Sequence, residues 1–417
     1  MKSQIILYFL LLSLGCVSQN NLRFKTVDPA SAGFSAERLA GLGPAMQKYV
    51  DERKLPGMIT IVARHGKVAS YRKFGMMDTN KPMQFNSIFR LASMTKPVTS
   101  VAVMMLYERG YFKLDDDVSK YIPEFKALKV ISSFDREGFH LANLSRPVTI
   151  GDLLSHTSGL GGGNGDGPVD SLYRAADLSG GSLHDMIGKL AAIPLLCQPG
   201  TRWIYGRSTD VLGYLVEVVS GKSLDVFFKE NIFTPLKMEN TGFCVPKANL
   251  SGVSAVFCPD DSLGLKIIHP DAGDISKMPQ FLSGNGGLFS TAEDYLVFSQ
   301  MLLNKGEYNG VRLLKSATVE LMTANHLTNE IMPDDDFLGP LMKGMGFGYG
   351  FAILKDTTRP DWPGSRGSYW WSGSGNTYFY IDPEKDLVMI LMTQFVPNFH
   401  YPVFREFREV VYGAIID

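Results

Sequence analysis

Residues 93–110 read Ser-Met-Thr-Lys-Pro-Val-Thr-Ser-Val-Ala-Val-Met-Met-Leu-Tyr-Glu-Arg-Gly, a stretch that predicts a helix with almost no polar face. An amphipathic helix can lie on a surface, but a helix apolar all round has to be enclosed by other elements. The chain must therefore build itself around this segment, with Gly110 as its carboxy-terminal cap. Enclosing material is present on both sides. Residues 57–68 are β-rich, turn at His65-Gly66 and continue as a second strand through Tyr71. Strand patterns return at 349–354, 376–382 and 387–393, and residues 404–412 have helical periodicity. Between them, segments such as 149–156 and 210–219 read as helices. This predicts one α/β unit made from both ends of the chain, about residues 24–90 and 280–417, with a mainly helical part over about 91–235. Residues 24–417 are read as a single domain.

Composition narrows the function classes. Of 417 residues 45% are hydrophobic, and 41 Lys+Arg stand against 42 Asp+Glu, a net charge of −1. A disordered chain would be poorer in apolar residues and more one-sided in charge. Nucleic acid is not an expected partner, because its phosphates demand a basic face. Four cysteines are too few for a disulfide scaffold, and no His-Glu-x-x-His or Cys-x-x-Cys points to a metal. Cys244 and Cys258 lie in two short apolar runs that could pair as a hairpin; free thiols packed as small hydrophobes are the expectation.

The amino terminus reads as an address over residues 1–20. Lys2 precedes an apolar run at 5–12, then small residues, then polar Ser18-Gln-Asn-Asn. Gly15-Cys16 resembles a bacterial lipobox, which implies lipidation of Cys16 and membrane attachment; ordinary cleavage nearby, for example after Ser18, is the alternative. Either way the chain is expected to be exported, as a periplasmic or membrane-anchored protein.

For chemistry, Gly-x-Ser-x-Gly is absent, and the glycine-rich run 159–167 lacks the Gly-Lys-Ser/Thr of a phosphate loop, so it reads as a plain loop. Ser-x-x-Lys occurs twice, at Ser70/Lys73 and Ser93/Lys96. Ser70 falls in a predicted strand, where residues three apart point to opposite faces. Ser93 opens the predicted helix, where residues three apart share a face and the helix amino terminus favours a developing oxyanion. Pro97 fits the first turn of that helix. A lysine buried there would be disfavoured as a cation and available as a base. A capping serine with a solvated lysine is the alternative that spacing alone leaves open.

The segment Phe89-Arg-Leu-Ala-Ser93-Met-Thr-Lys96-Pro-Val-Thr resembles the active-site serine segment of the serine β-lactamase and penicillin-binding-protein superfamily, in its class C-like branch with the family VIII carboxylesterases. In order along the chain, the 147–160, 199–205, 212–221 and 286–291 segments and Trp371-Ser-Gly373 carry the same resemblance. It implies a β-lactamase/DD-peptidase-like α/β (α+β) fold, an antiparallel sheet flanked by helices with an all-helical insertion. It implies Ser93 as acylated nucleophile, Lys96 as its activator and Tyr205 as a proton-exchanging phenol. The second motif often has Asn at its third residue; here Arg207 stands there. In place of Lys-Thr-Gly the chain has Trp371-Ser372-Gly373, a substrate-binding strand that offers apolar area instead of a cation. Arg366 is a candidate to supply that missing charge. The backbone N–H groups of Ser93 and Ser374 are the expected oxyanion hole. His156 is expected at a structural turn, not as a catalytic base.

The reading is an exported serine hydrolase without cofactor or metal, acting through an acyl-enzyme on a small-molecule ester. A β-lactamase or D-amino-acid peptidase acting on amides is the alternative, and a non-catalytic cell-wall-associated binding protein is the alternative of another class.

Overall fold

The computed structural model describes residues 23–135, 138–163, 165, 167–260, 264–269, 273–328, 330–331, 339–359 and 362–416. The leader pattern and Cys16 lie outside the described residues. Strands β1 (Gly57–Arg64) and β2 (Lys67–Asp78) form the expected hairpin. His65 and Gly66 both take positive φ, 53° and 69°, the pair of left-handed residues a tight two-residue hairpin turn needs. β2 runs on past Tyr71 to Asp78 and pairs with β3 (Lys81–Pro82).

The carboxy-terminal third supplies β4 (Met345–Phe347), β5 (Ala352–Leu354), β6 (Tyr369–Gly373), β7 (Thr377–Asp382) and β8 (Leu387–Met392). They complete an antiparallel eight-stranded sheet in the order β4-β5-β6-β7-β8-β1-β2-β3. β8 lies against β1, Ile59 opposite Met392 and Arg64 opposite Leu387, so the two ends of the chain are joined inside the sheet. The strand expected from Tyr349 begins only at Ala352, because Gly348 N–H bonds to Phe351 O (2.8 Å) and closes a tight turn first.

The helices α1 (Leu42–Asp51), α4 (Ala292–Leu303) and α5 (Val403–Ala414) pack on this sheet, and α2 (Thr95–Glu108) and α3 (Ser208–Ser220) belong to the helical part. Side chains alternate across a strand, so neighbours on β7 sort the two layers. Tyr378 and Tyr380 face α5, their rings against Phe404 and Tyr412, while Phe379 between them meets Tyr295 of α4 on the other face. All of β7 and β8 is buried, as strands covered on both faces must be.

The helix that the sequence requires to be enclosed is enclosed: α2 is buried from Thr95 to Leu106 and packs along α3. Between α2 and α3 lie the short helices Ile150–Leu154, Pro168–Ala175 and Leu183–Leu190. This helical part also carries a two-stranded hairpin, Lys129–Asp135 with Gly138–Asn143, where Phe134 and Phe139 meet edge to face. Cys197, Cys244 and Cys258 are free thiols. Val256–Asp260, with Cys258, pairs with Gly264–Ile268 and not with the segment carrying Cys244, whose neighbour Gly242 bridges Phe289. Among the described residues no helix is long and apolar enough to cross a membrane.

Candidate active site

Ser93 sits on a 3₁₀ turn, Ala92–Met94, that runs directly into α2. Ala92 is held at φ 45°, a left-handed conformation that costs a non-glycine residue strain and persists only where the surroundings enforce it. Those surroundings are Leu91 N–H bonded to Leu288 O (2.8 Å) before the turn and Tyr295 Oη donating to Met94 O (2.9 Å) after it. The result places the Ser93 hydroxyl one helical turn below Lys96. Lys96 Nζ donates to Ser93 Oγ at 2.9 Å and to the Asn285 carbonyl at 3.0 Å.

Lys96 is 1% exposed. Burial pushes its ammonium down to about 7; the Asp210 carboxylate works the other way and the Arg207 guanidinium adds to the depression. The amine is therefore available as an acceptor near neutral pH. Asp210 is fully buried in the first turn of α3 and organises the surroundings. Its Oδ1 accepts from Ser283 Oγ (2.7 Å) and Asn285 N–H (3.0 Å), and its Oδ2 from Arg207 Nη1 (3.2 Å). Asn285, whose carbonyl holds Lys96, is thus itself anchored to Asp210 through its own N–H. Asp210 and Asn285 escape a sequence reading, since an acid in the first turn of a helix ordinarily serves the helix dipole.

Tyr205 arrives from the loop before α3. Lys96 Nζ lies 4.5 Å from its ring centroid, which sets the Tyr205 ring beside the Ser93–Lys96 pair. Gly206 allows this: a Cβ there would stand 2.3 Å from Gly161 O, and Arg207 N–H bonds to that same carbonyl at 3.0 Å. The glycine-rich loop is a backbone bracket for the Tyr205 segment. Arg207 turns to Asp210, which accounts for a residue that departs from the usual Asn.

An aromatic wall fixes the phenol. The Tyr205 ring meets Trp371 at 5.3 Å, His156 at 5.1 Å and Trp203 at 5.9 Å, and Phe347 closes the group against Trp371 and His156. His156 is 1% exposed and pushed down to about 3 by burial, with the Lys96 charge adding to it and a hydrogen bond to the Ile204 backbone opposing. It is neutral near pH 7 and packs within the aromatic group. Trp371, Ser372 and Gly373 are buried on β6, which leans on the nucleophile turn. A Cβ on Gly373 would stand 2.2 Å from Leu91 O, and Thr377 Oγ1 donates to that carbonyl at 3.1 Å. Ser374, exposed, opens the turn after β6. Arg366 lies on the turn that precedes β6, where its charge acts on Asp356.

The second Ser-x-x-Lys behaves as strand geometry requires. Lys73 Nζ bonds to Met83 O (2.9 Å), away from Ser70, which meets Arg72 Nε instead. Among the described residues no group of His, Cys, Asp and Glu is placed to hold a metal ion.

The family description Beta-lactamase matches residues 44–409. A Mycobacterium tuberculosis protein, Rv1367c, is 33% identical over 368 residues, which cover 86% of this chain and 91% of that one. Esterase EstB of Burkholderia gladioli is 28% identical, covering 88% and 93%. Among solved structures, simvastatin synthase (LovD) from Aspergillus terreus superposes with a TM-score of 0.79 at 26% identity, over 91% of this chain and 99% of that one. EstCE1, a hydrolase with promiscuous acyltransferase activity, gives 0.76 at 26%, over 90% and 99%. On the match across 44–409 and this shared architecture, the chain belongs to the Beta-lactamase family and is a serine hydrolase.

Proposed function

We propose that the chain is an esterase working through an acyl-enzyme on Ser93. The observation that carries this is the 2.9 Å contact between Ser93 Oγ and a lysine amine that burial brings down to about 7. Ser93 Oγ attacks the ester carbonyl and its proton passes to the Lys96 amine, with Tyr205 as the relay; the two titrate as a coupled pair. The N–H groups of Ser93 and Ser374 take the oxyanion. The carbonyl–alkoxy bond breaks, the alcohol leaves with the relayed proton, and water then attacks the acyl-enzyme and frees the acid.

An ester is favoured over a β-lactam or a D-amino-acid peptide because the strand beside the nucleophile carries Trp371 where a cation would meet a carboxylate. The esterase names among the relatives support the same choice. The test is turnover of a p-nitrophenyl ester against a chromogenic cephalosporin, with fluorophosphonate labelling of the protein and of Ser93→Ala. Ester turnover with labelling lost in Ser93→Ala is expected; preferred cephalosporin turnover overturns the substrate class. The leader pattern supports export with Cys16 as lipid carrier, tested by membrane fractionation: the protein should sediment with membranes and be released by Cys16→Ser. Release of both forms alike would favour plain cleavage.

A further inference from the structure

A cavity of about 280 Å³ opens beside the oxyanion turn and plays no part in the proton relay. Ala92, which precedes the nucleophile, and Ser374 both line it, whereas Lys96, Tyr205 and Trp371 do not. Its walls are Val256, Leu288, Phe289 and Val396.

Two of the polar side chains that border it, Gln394 and Arg90, are engaged by protein partners, and the third, Ser374, is exposed. Gln394 accepts from Arg90 N–H (3.1 Å) and donates to Arg90 O (3.2 Å) and Thr393 O (3.0 Å). Arg90 Nη1 donates to Ser254 O (3.0 Å), with its guanidinium 5.4 Å from the Phe289 ring centroid. Most of what faces the space is apolar, so a charged group would lose water there with little replacement.

The relay fixes which half of an ester belongs in this space. The leaving oxygen must receive its proton from Lys96 or Tyr205, so the alcohol lies on the side of those groups and the Trp371 wall. With the carbonyl oxygen at the N–H groups of Ser93 and Ser374, the acyl chain is left to extend past Ala92 and Ser374. We infer that the cavity is the acyl pocket and takes an uncharged, unbranched aliphatic chain. Its volume is that of roughly nine liquid water molecules, and a methylene is about the size of one water. That favours medium chains over acetate. The inference rests on the esterase reading above and adds the acyl specificity.

The test holds the leaving group constant and varies the acyl chain, using p-nitrophenyl acetate, butyrate, hexanoate and octanoate. Val256→Phe fills the pocket from one wall and Val396→Phe from another, so one variant stands if the other fails to fold. Each should cut kcat/KM for hexanoate and octanoate by more than about tenfold, with acetate nearly unchanged. Fluorophosphonate labelling of Ser93 should persist in both. Val256→Ala should move the preference towards longer chains. An equal fall at every chain length, or an unchanged profile in a folded, labelled variant, overturns the pocket. Turnover of no ester by the unsubstituted protein overturns the esterase reading instead.

Discussion

The chain carries the same four-residue pattern in two places, and the molecule treats them oppositely. At Ser93/Lys96 the turn of a helix brings amine and hydroxyl to 2.9 Å; at Ser70/Lys73 a strand sends the lysine to Met83 O and leaves the serine to Arg72. Burial separates them as strongly as phase. Lys96 is enclosed on all sides and brought down to about 7, whereas Lys73 reaches a backbone carbonyl at the edge of the sheet beyond β2. A pattern of residue types becomes chemistry only where secondary structure aligns the groups and the surrounding protein removes water from one of them.

Substitutions can break this contrast, and the largest effect belongs to the nucleophile. Ser93→Ala should lower ester turnover by roughly three powers of ten or more and abolish covalent labelling, whereas retained labelling would show that the acyl group is carried elsewhere. Lys96→Met should follow closely, by about a thousandfold in the acylation rate read by stopped flow. Gly373→Ala should cost about a hundredfold in kcat, because the added Cβ pushes β6 off Leu91 O and carries Ser374 away from the oxyanion. An unchanged kcat in a folded Gly373→Ala protein would remove Ser374 from the site.

A subtler effect is a pH shift. Protonated Lys96 cannot accept a proton, so kcat/KM on a neutral ester should rise with pH through about 7 and then level. The Asp210 carboxylate holds the lysine pKa up, so Asp210→Asn should move that limb to lower pH. A limb moving upward, or staying in place, would separate Asp210 from the amine. The smallest effect is at the second pattern: Ser70→Ala should leave turnover within about twofold and lower Tm by only a few degrees, the loss of one weak side-chain contact at about 1 kcal/mol.

Much of this was legible along the chain, for reasons that are local. The hairpin at His65-Gly66 reads off its turn residues, α5 off its 3.6-residue period, and α2 off the lack of any polar face. Ser93 and Lys96 are legible together because one helical turn separates them. Tyr205 is different: no periodicity ties it to a serine 112 positions earlier (205 − 93), and family resemblance alone singled it out. The hairpin at 129–143 was hidden among helices because its exposed faces leave little alternation to read.

By itself, then, the order of residues determined the enclosed helix, the strands at both ends that enclose it, and a serine and lysine sharing one helical face, since each depends on neighbours within a few residues. Only the tertiary structure decided that Asp210 grips the Asn285 loop, that Gly206 and Gly373 admit backbone where a methyl group would collide, and that burial lowers the pKa of one lysine of the two. Desolvation and close packing depend on atoms brought together from distant parts of the chain, and no local pattern encodes them.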